Sequence, residues 1–173
     1  MEHIVVVTAV GVDRPGMIAA LTQAVLDAEG TLDDATMTRL HGAFATMLAA
    51  RLPSPEAASR LRLALEPLGA GLGLTVTVQP VGETHAEPPP DIGLTIYGAD
   101  RPGIVHAVTQ ALAERGVNIT DMDTRVAGTP NAPLYVMLLE ASSHGTDLSA
   151  DLDTLRRALG VDITRHDLSA EAL

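Results

Sequence analysis

Residues Glu2–Ala9, EHIVVVTA, form a continuous β-branched run bounded by Gly11, the pattern of a buried strand. From Met17 the period lengthens. Ile18, Leu21 and Val25 recur at i, i+3 and i+7, a helical face that Glu29-Gly30 ends. TLDDATMTRL and AFATMLAARL are the next two strands, joined by a short turn at His41-Gly42. The first of them alternates poorly around Asp33 and Asp34, which points to a bulge or an edge position. Pro53 and Pro55 close the second. Ser54-Pro55-Glu56 then opens a helix carrying Leu61, Leu65 and Leu68, and GLGLTVTVQ alternates as a last strand through Leu74, Val76 and Val78. The order is βαββαβ.

The remainder of the chain repeats this pattern at an offset of 87 residues. IGLTIYG is a strand, and Val105, Val108 and Leu112 form the next helical face. VNITDMDTRV and PLYVMLLEA make a hairpin across the longer turn AGTPNAP. Leu148, Leu152 and Leu155 reproduce Leu61, Leu65 and Leu68, while Val161 and Ile163 reproduce Leu74 and Val76. Agreement at both helices and at the last strand means that a whole unit is duplicated. A βαββαβ unit makes a four-stranded antiparallel sheet with both helices on one face, so the fold class is α+β with two ferredoxin-like units. We place the first domain at 1–80, a Pro-rich linker at 81–90 and the second domain at 91–173. Each half alone would bury only roughly 60–65% of its extended-chain surface. Pairing of the halves, or with a second chain as a homodimer, is therefore expected, and open strand edges invite it.

The densest repetition lies between the first strand and first helix of each half. GVDRPGMIAALTQA begins at Gly11 and GADRPGIVHAVTQA at Gly98, with nine of fourteen positions identical. Pro15 and Pro102 suit the first turn of a helix, where no amide hydrogen is needed. Asp13 and Asp100 stand where a side chain caps free helical amides. Gly11 and Gly98 end the strands, where a positive φ is useful. Gly16 and Gly103 fall in the first helical turn, leaving room either for a ligand beside the backbone or for a closely packed neighbouring strand. Arg14 and Arg101 are equally readable as ligand contacts or as solvated partners of the adjacent aspartates.

Composition narrows the chemistry. Net charge is −11 over 173 residues and every basic residue is arginine, which disfavours direct nucleic-acid binding. Only Phe44, Tyr97 and Tyr135 are aromatic, so stacking platforms are absent and Ala, Leu and Val must fill the cores. The chain has no cysteine, which removes disulfides, thiolate metal sites and thiol catalysis. Six scattered histidines show no metal-ligand spacing, and no nucleophile–base–orienter set is visible. No cofactor and no metal are expected. Asp33, Asp34, Asp121 and Asp123 read as a solvated strand edge, and Met37, Met47, Met122 and Met137 as core filler. Without a leader-like or membrane-spanning apolar run, the expectation is a soluble cytoplasmic protein.

A strand, a Gly-x-Asp-Arg-Pro-Gly turn, an amphipathic helix and then Val117-Asn118-Ile119 opening the second strand together resemble an ACT domain. MTRLHGAFATMLA, from Met37 to Ala49, is similar to a stretch of the glycine cleavage system transcriptional repressor family. The resemblance implies a non-catalytic, regulatory module that binds an amino acid or similar metabolite. It also implies action through a protein partner such as a transcription factor, possibly on glycine cleavage genes. Carried over, it points to Asp13, Arg14, Pro15 and Gly16, and to Asp100, Arg101, Pro102, Gly103, Asn118 and Ile119. Thr31 stands where the second half has Asn118, so the second half is expected to hold the better site. The alternative is a ligand-free interaction module of the same fold; an acylphosphatase-type enzyme lacks its phosphate cradle here.

Overall fold

The computed structural model describes residues 3–82, 89–129 and 132–168. Most of the expected linker at 81–90 and the centre of the second hairpin turn, Pro130-Asn131, lie outside the described residues. The chain divides into two compact units with one sheet each.

In the first unit β1 (His3–Val12), α1 (Met17–Asp27), β2 (Thr31–Leu40), β3 (Ala43–Leu52), α2 (Pro55–Leu72) and β4 (Leu74–Pro80) follow in order. The sheet order is β2-β3-β1-β4, antiparallel throughout. The second unit repeats this with β5 (Ile92–Ala99), α3 (Ile104–Glu114), β6 (Asn118–Thr129), β7 (Ala132–Ser142), α4 (Ser149–Leu159) and β8 (Val161–Asp167), in the order β6-β7-β5-β8. The βαββαβ reading of both halves is therefore correct. The strand period decides which face is covered: Val5, Val7 and Ala9 of β1 and Phe44, Leu48, Ala50 and Leu52 of β3 are buried against Met17, Leu21, Val25, Leu61 and Leu65 of the helices. Ile92, Leu94 and Ile96 with Met137 and Leu139 do the same against Ile104, Val108, Leu112, Leu152 and Leu155. Among the described residues neither strand β2 nor β6 has a second neighbour, and each carries a register shift, at Leu32/Asp34 and at Ile119/Asp121. The broken alternation around Asp33 and Asp34 is thus an edge and a bulge together.

Several boundaries differ from the sequence reading. Helix α2 runs to Leu72, so Gly71 and Leu72 are helical; Gly73 at φ 69° supplies the left-handed cap that stops it. Strands β6 and β7 extend through most of the expected AGTPNAP turn. Helix α4 begins only at Ser149, although Leu148 keeps its buried position just before it. Its missing first turns are replaced by a loop fastened to the residue just before β5: the Asp91 carboxylate accepts from the Ser143 amide at 2.6 Å and hydroxyl at 2.8 Å. Of the four methionines read as core filler, only Met137 is buried; Met37, Met47 and Met122 are about half exposed. Met37 and Met122 lie on the edge strands β2 and β6, and Met47 lies on the face of β3 opposite its buried residues Phe44, Thr46 and Leu48.

The glycines of the repeated turn exchange the roles expected of them. Gly11 and Gly98 lie inside β1 and β5. A Cβ on Gly11 would stand 2.5 Å from the Gly73 carbonyl oxygen, and one on Gly98 would stand 2.9 Å from a Val161 methyl. Close approach of the neighbouring strand is what these positions require. Gly16 and Gly103 have φ of 90° and 96° and open space where a Cβ would be, so backbone conformation is what selects glycine there. No helix among the described residues is long and apolar enough to cross a membrane.

Candidate functional site

Each repeated turn stands at the C-terminal end of a central strand. Gly11 of β1 is registered on Phe44 of β3, and Phe44 in turn on Arg39 of the edge strand β2. In the second unit Gly98 is registered on Tyr135, and Tyr135 on Val126. The turn is solvent-exposed from Arg14 to Gly16 and from Asp100 to Gly103. Helices α1 and α3 start immediately after it, with Gly16 and Gly103 as their N-terminal caps.

Pro15 and Pro102 precede the helices instead of opening them, and neither Asp13 nor Asp100 caps them. Both helices lack a side-chain cap, and neither has an acidic residue in its first turn. Their first amides are thus left to solvent or to an anion, and the helix dipole favours the anion. With the left-handed glycine as the cap residue, the aspartate lies three residues before the cap and does not reach the free amides.

The aspartates then part company. Asp13 accepts from Arg39 at 2.9 Å, an ion pair between groups 66% and 29% exposed, and its amide donates to the Gly42 carbonyl at 3.1 Å. Its partner is therefore not the adjacent Arg14, as the turn sequence allowed. Asp100 makes no hydrogen bond or ion pair among the described residues, because the position of Arg39 is held by Val126. Arg101 extends a guanidinium nitrogen to within 3.7 Å of where a Cβ on Gly160 would lie, at the C-terminal cap of α4. A cation there is favoured by the dipole of α4.

Beneath the second turn is Tyr135, 9% exposed, whose phenol oxygen is buried without a hydrogen-bond partner. Burial pushes this phenol above its ordinary range; Thr124 pulls it down and the Asp100 carboxylate pushes it up again. The first unit has Phe44 at this sheet position, 1% exposed and with nothing to satisfy. Tyr135 escaped the sequence reading because the longer second hairpin shifts the repeat offset; aligning the two hairpins by strand register brings it opposite Phe44.

Thr31 and Asn118 open β2 and β6, at the other end of the sheet from the turns. Eight residues separate Thr31 from Arg39 and Asn118 from Val126, roughly 26 Å of strand. Within one unit, the structure brings Asp100, Arg101, Pro102 and Gly103 together and does not bring Asn118 or Ile119 to them. The same holds for Thr31 relative to Asp13, Arg14, Pro15 and Gly16. Among the described residues no group of three or more metal-ligating side chains is assembled. Asp33 and Asp123 are paired to Arg51 and Arg125 on the sheet edges.

Residues 3–79 and residues 93–160 each match a family model for the ACT domain. The chain is 24% identical to the glycine cleavage system transcriptional repressor of Escherichia coli over 161 residues, 91% of this chain and 82% of that protein. A protein of unknown function from Galdieria sulphuraria has a crystal structure that matches with a TM-score of 0.79 at 24% identity, over 97% of this chain and 99% of that one. The crystal structure of a candidate glycine cleavage system transcriptional repressor matches with a TM-score of 0.74 at 21% identity, over 96% of this chain and 97% of that one. At such identities the two crystal structures speak for the fold.

Proposed function

Since the chain belongs to the ACT-domain family, with one such domain in each half, we propose that it is a non-catalytic regulator that senses an amino acid or a closely related metabolite. The observation that carries this reading is the turn of the second unit: an uncapped helix start, a left-handed glycine with open space beside it, and an unpaired carboxylate one turn away. A zwitterion has the matching charges. Its carboxylate suits the free amides of α3, and its ammonium suits Asp100. Asn118 and Ile119, at the far end of β6, do not reach a ligand held at the turn of their own unit.

The likeness to a transcriptional repressor supports a role in gene regulation, with glycine cleavage genes as the first candidates. A net charge of −11 is unsuited to counterion release from duplex DNA, so the regulator acts through a protein partner such as a transcription factor. The first unit, whose Asp13 is already occupied by Arg39, fits the second reading of an interaction module without ligand. A thermal-shift screen of the full chain against the twenty amino acids tests the sensing role. A ligand of the native state raises the midpoint by mass action. No shift with any of them, at concentrations up to several millimolar, refutes it.

A further inference from the structure

The two turns differ at two registered positions, and the differences concern the same chemistry. In the first unit a cation, the Arg39 guanidinium, stands on the Asp13 carboxylate beside Phe44. In the second unit the cation is replaced by Val126, 61% exposed, and the phenylalanine by Tyr135, which adds a buried oxygen with no partner. Asp100 is left without a partner at the same place. The Tyr135 oxygen, registered one strand across from Gly98, has lone pairs free to accept from a donor. A group with two donors can serve both oxygens at once, and a positive charge on it adds ion pairing with the carboxylate.

We propose that the second unit holds the primary ammonium of its amino-acid ligand between the Asp100 carboxylate and the Tyr135 phenol oxygen, and that in the first unit Arg39 occupies the corresponding position and closes it. This inference rests on the amino-acid reading of the second turn and deepens it. It makes Tyr135 a binding residue and Val126 the residue whose apolar side chain keeps the site open. Thr124 lies on the same edge strand, two residues before Val126 and near the phenol. The amides of α3 remain for the ligand carboxylate, so each end of the zwitterion has its own partner.

The test uses the full chain and the amino acid that gives the largest thermal shift, titrated calorimetrically beside its N-acetyl derivative. Acetylation removes the positive charge and two donors, and the N-acetyl form is expected to bind at least tenfold more weakly. Val126→Arg is expected to reproduce the Arg39 arrangement and weaken the amino acid at least tenfold. Val126→Leu is expected to leave affinity within about twofold of wild type. Tyr135→Phe keeps the packing, removes one acceptor, and is expected to weaken binding three- to tenfold. Tight binding of the N-acetyl form, or wild-type affinity in Val126→Arg, overturns the inference while leaving the sensing role intact. Absence of amino-acid binding to the wild-type chain overturns both.

Discussion

The two repeated turns share nine of fourteen residues and the same backbone, with Gly16 at φ 90° and Gly103 at φ 96°. They nevertheless offer different surfaces. The first is closed by a contact across 26 residues of sequence, Arg39 to Asp13. The second presents an unpaired Asp100 above a buried phenol with no partner. What separates them is not in the motif. It lies on the hairpin that the motif packs beside, at the residue registered on the strand glycine (Phe44 or Tyr135) and at that residue's partner on the edge strand (Arg39 or Val126). The duplicated turn therefore sets the backbone of a site, and its neighbours across the sheet decide whether the site is free.

The sharpest structural contrast is at the strand glycines. Gly11→Ala forces a Cβ onto a backbone carbonyl, which has no rotamer with which to yield, and we expect a loss of about 2–4 kcal/mol. Gly98→Ala meets a Val161 methyl, which can turn aside, and about 1–2 kcal/mol is expected. Both tyrosines, Tyr97 and Tyr135, belong to the second unit. Urea unfolding followed by tyrosine fluorescence therefore reports that unit, while far-ultraviolet circular dichroism reports both. Equal losses for the two variants would break the contrast.

A smaller effect is expected where α1 ends. Glu29 takes a left-handed φ of 60° at the position that Gly116 fills after α3 with φ 69°. Glu29→Gly should relieve the side-chain cost and raise stability of the first unit by about 0.5 kcal/mol, with Gly116→Glu lowering that of the second by about 1 kcal/mol. Chemical denaturation monitored by circular dichroism measures both. Destabilisation by Glu29→Gly would show that the glutamate makes up its strain elsewhere.

The acid side of the stability profile separates the units in a third way. Hydrogen bonds from the Ser143 amide and hydroxyl, the amide first, hold the Asp91 carboxyl below its ordinary range against the opposing effect of burial. A folded-state value below the unfolded one contributes stability that is complete above about pH 4 and disappears as pH falls through the folded value. The first unit has Ile4 at the corresponding place in the repeat. Asp91→Asn should therefore flatten the loss of urea midpoint seen by tyrosine fluorescence between pH 5 and about pH 2.5. An unchanged slope would assign the acid sensitivity to other carboxylates.

Strand and helix periods, the Ser54-Pro55 helix start and the His41-Gly42 turn were legible because each rests on local physics. Ser54 accepts from the Ala57 amide at 3.2 Å, and His41 and Gly42 take φ of 49° and 81°, as a two-residue hairpin turn demands. The glycine roles were not legible. What excludes a side chain at Gly11 is a carbonyl 62 residues later, at Gly73, and sequence spacing contains no sign of it. The Arg39–Asp13 pair was hidden for the same reason, since it depends on the register of β2. Tyr135 was hidden by the hairpin insertion, which makes the 87-residue offset pair it with Leu48 when the sheet pairs it with Phe44. Asn118 was visible as a residue, but its distance from the turn in the same unit became clear only with strand order.

The central claim is that the second turn is competent for ligand and the first is closed, and two matched substitutions test it most directly. Asp100→Asn and Asp13→Asn change one charge each in turns of the same backbone. Calorimetric titration of both with the amino acid selected by thermal shift should show at least a tenfold loss of affinity for Asp100→Asn, about 1.4 kcal/mol or more. Less than a threefold change is expected for Asp13→Asn. Equal losses, or a larger loss at Asp13, would contradict the account by showing that the first turn is also a binding site.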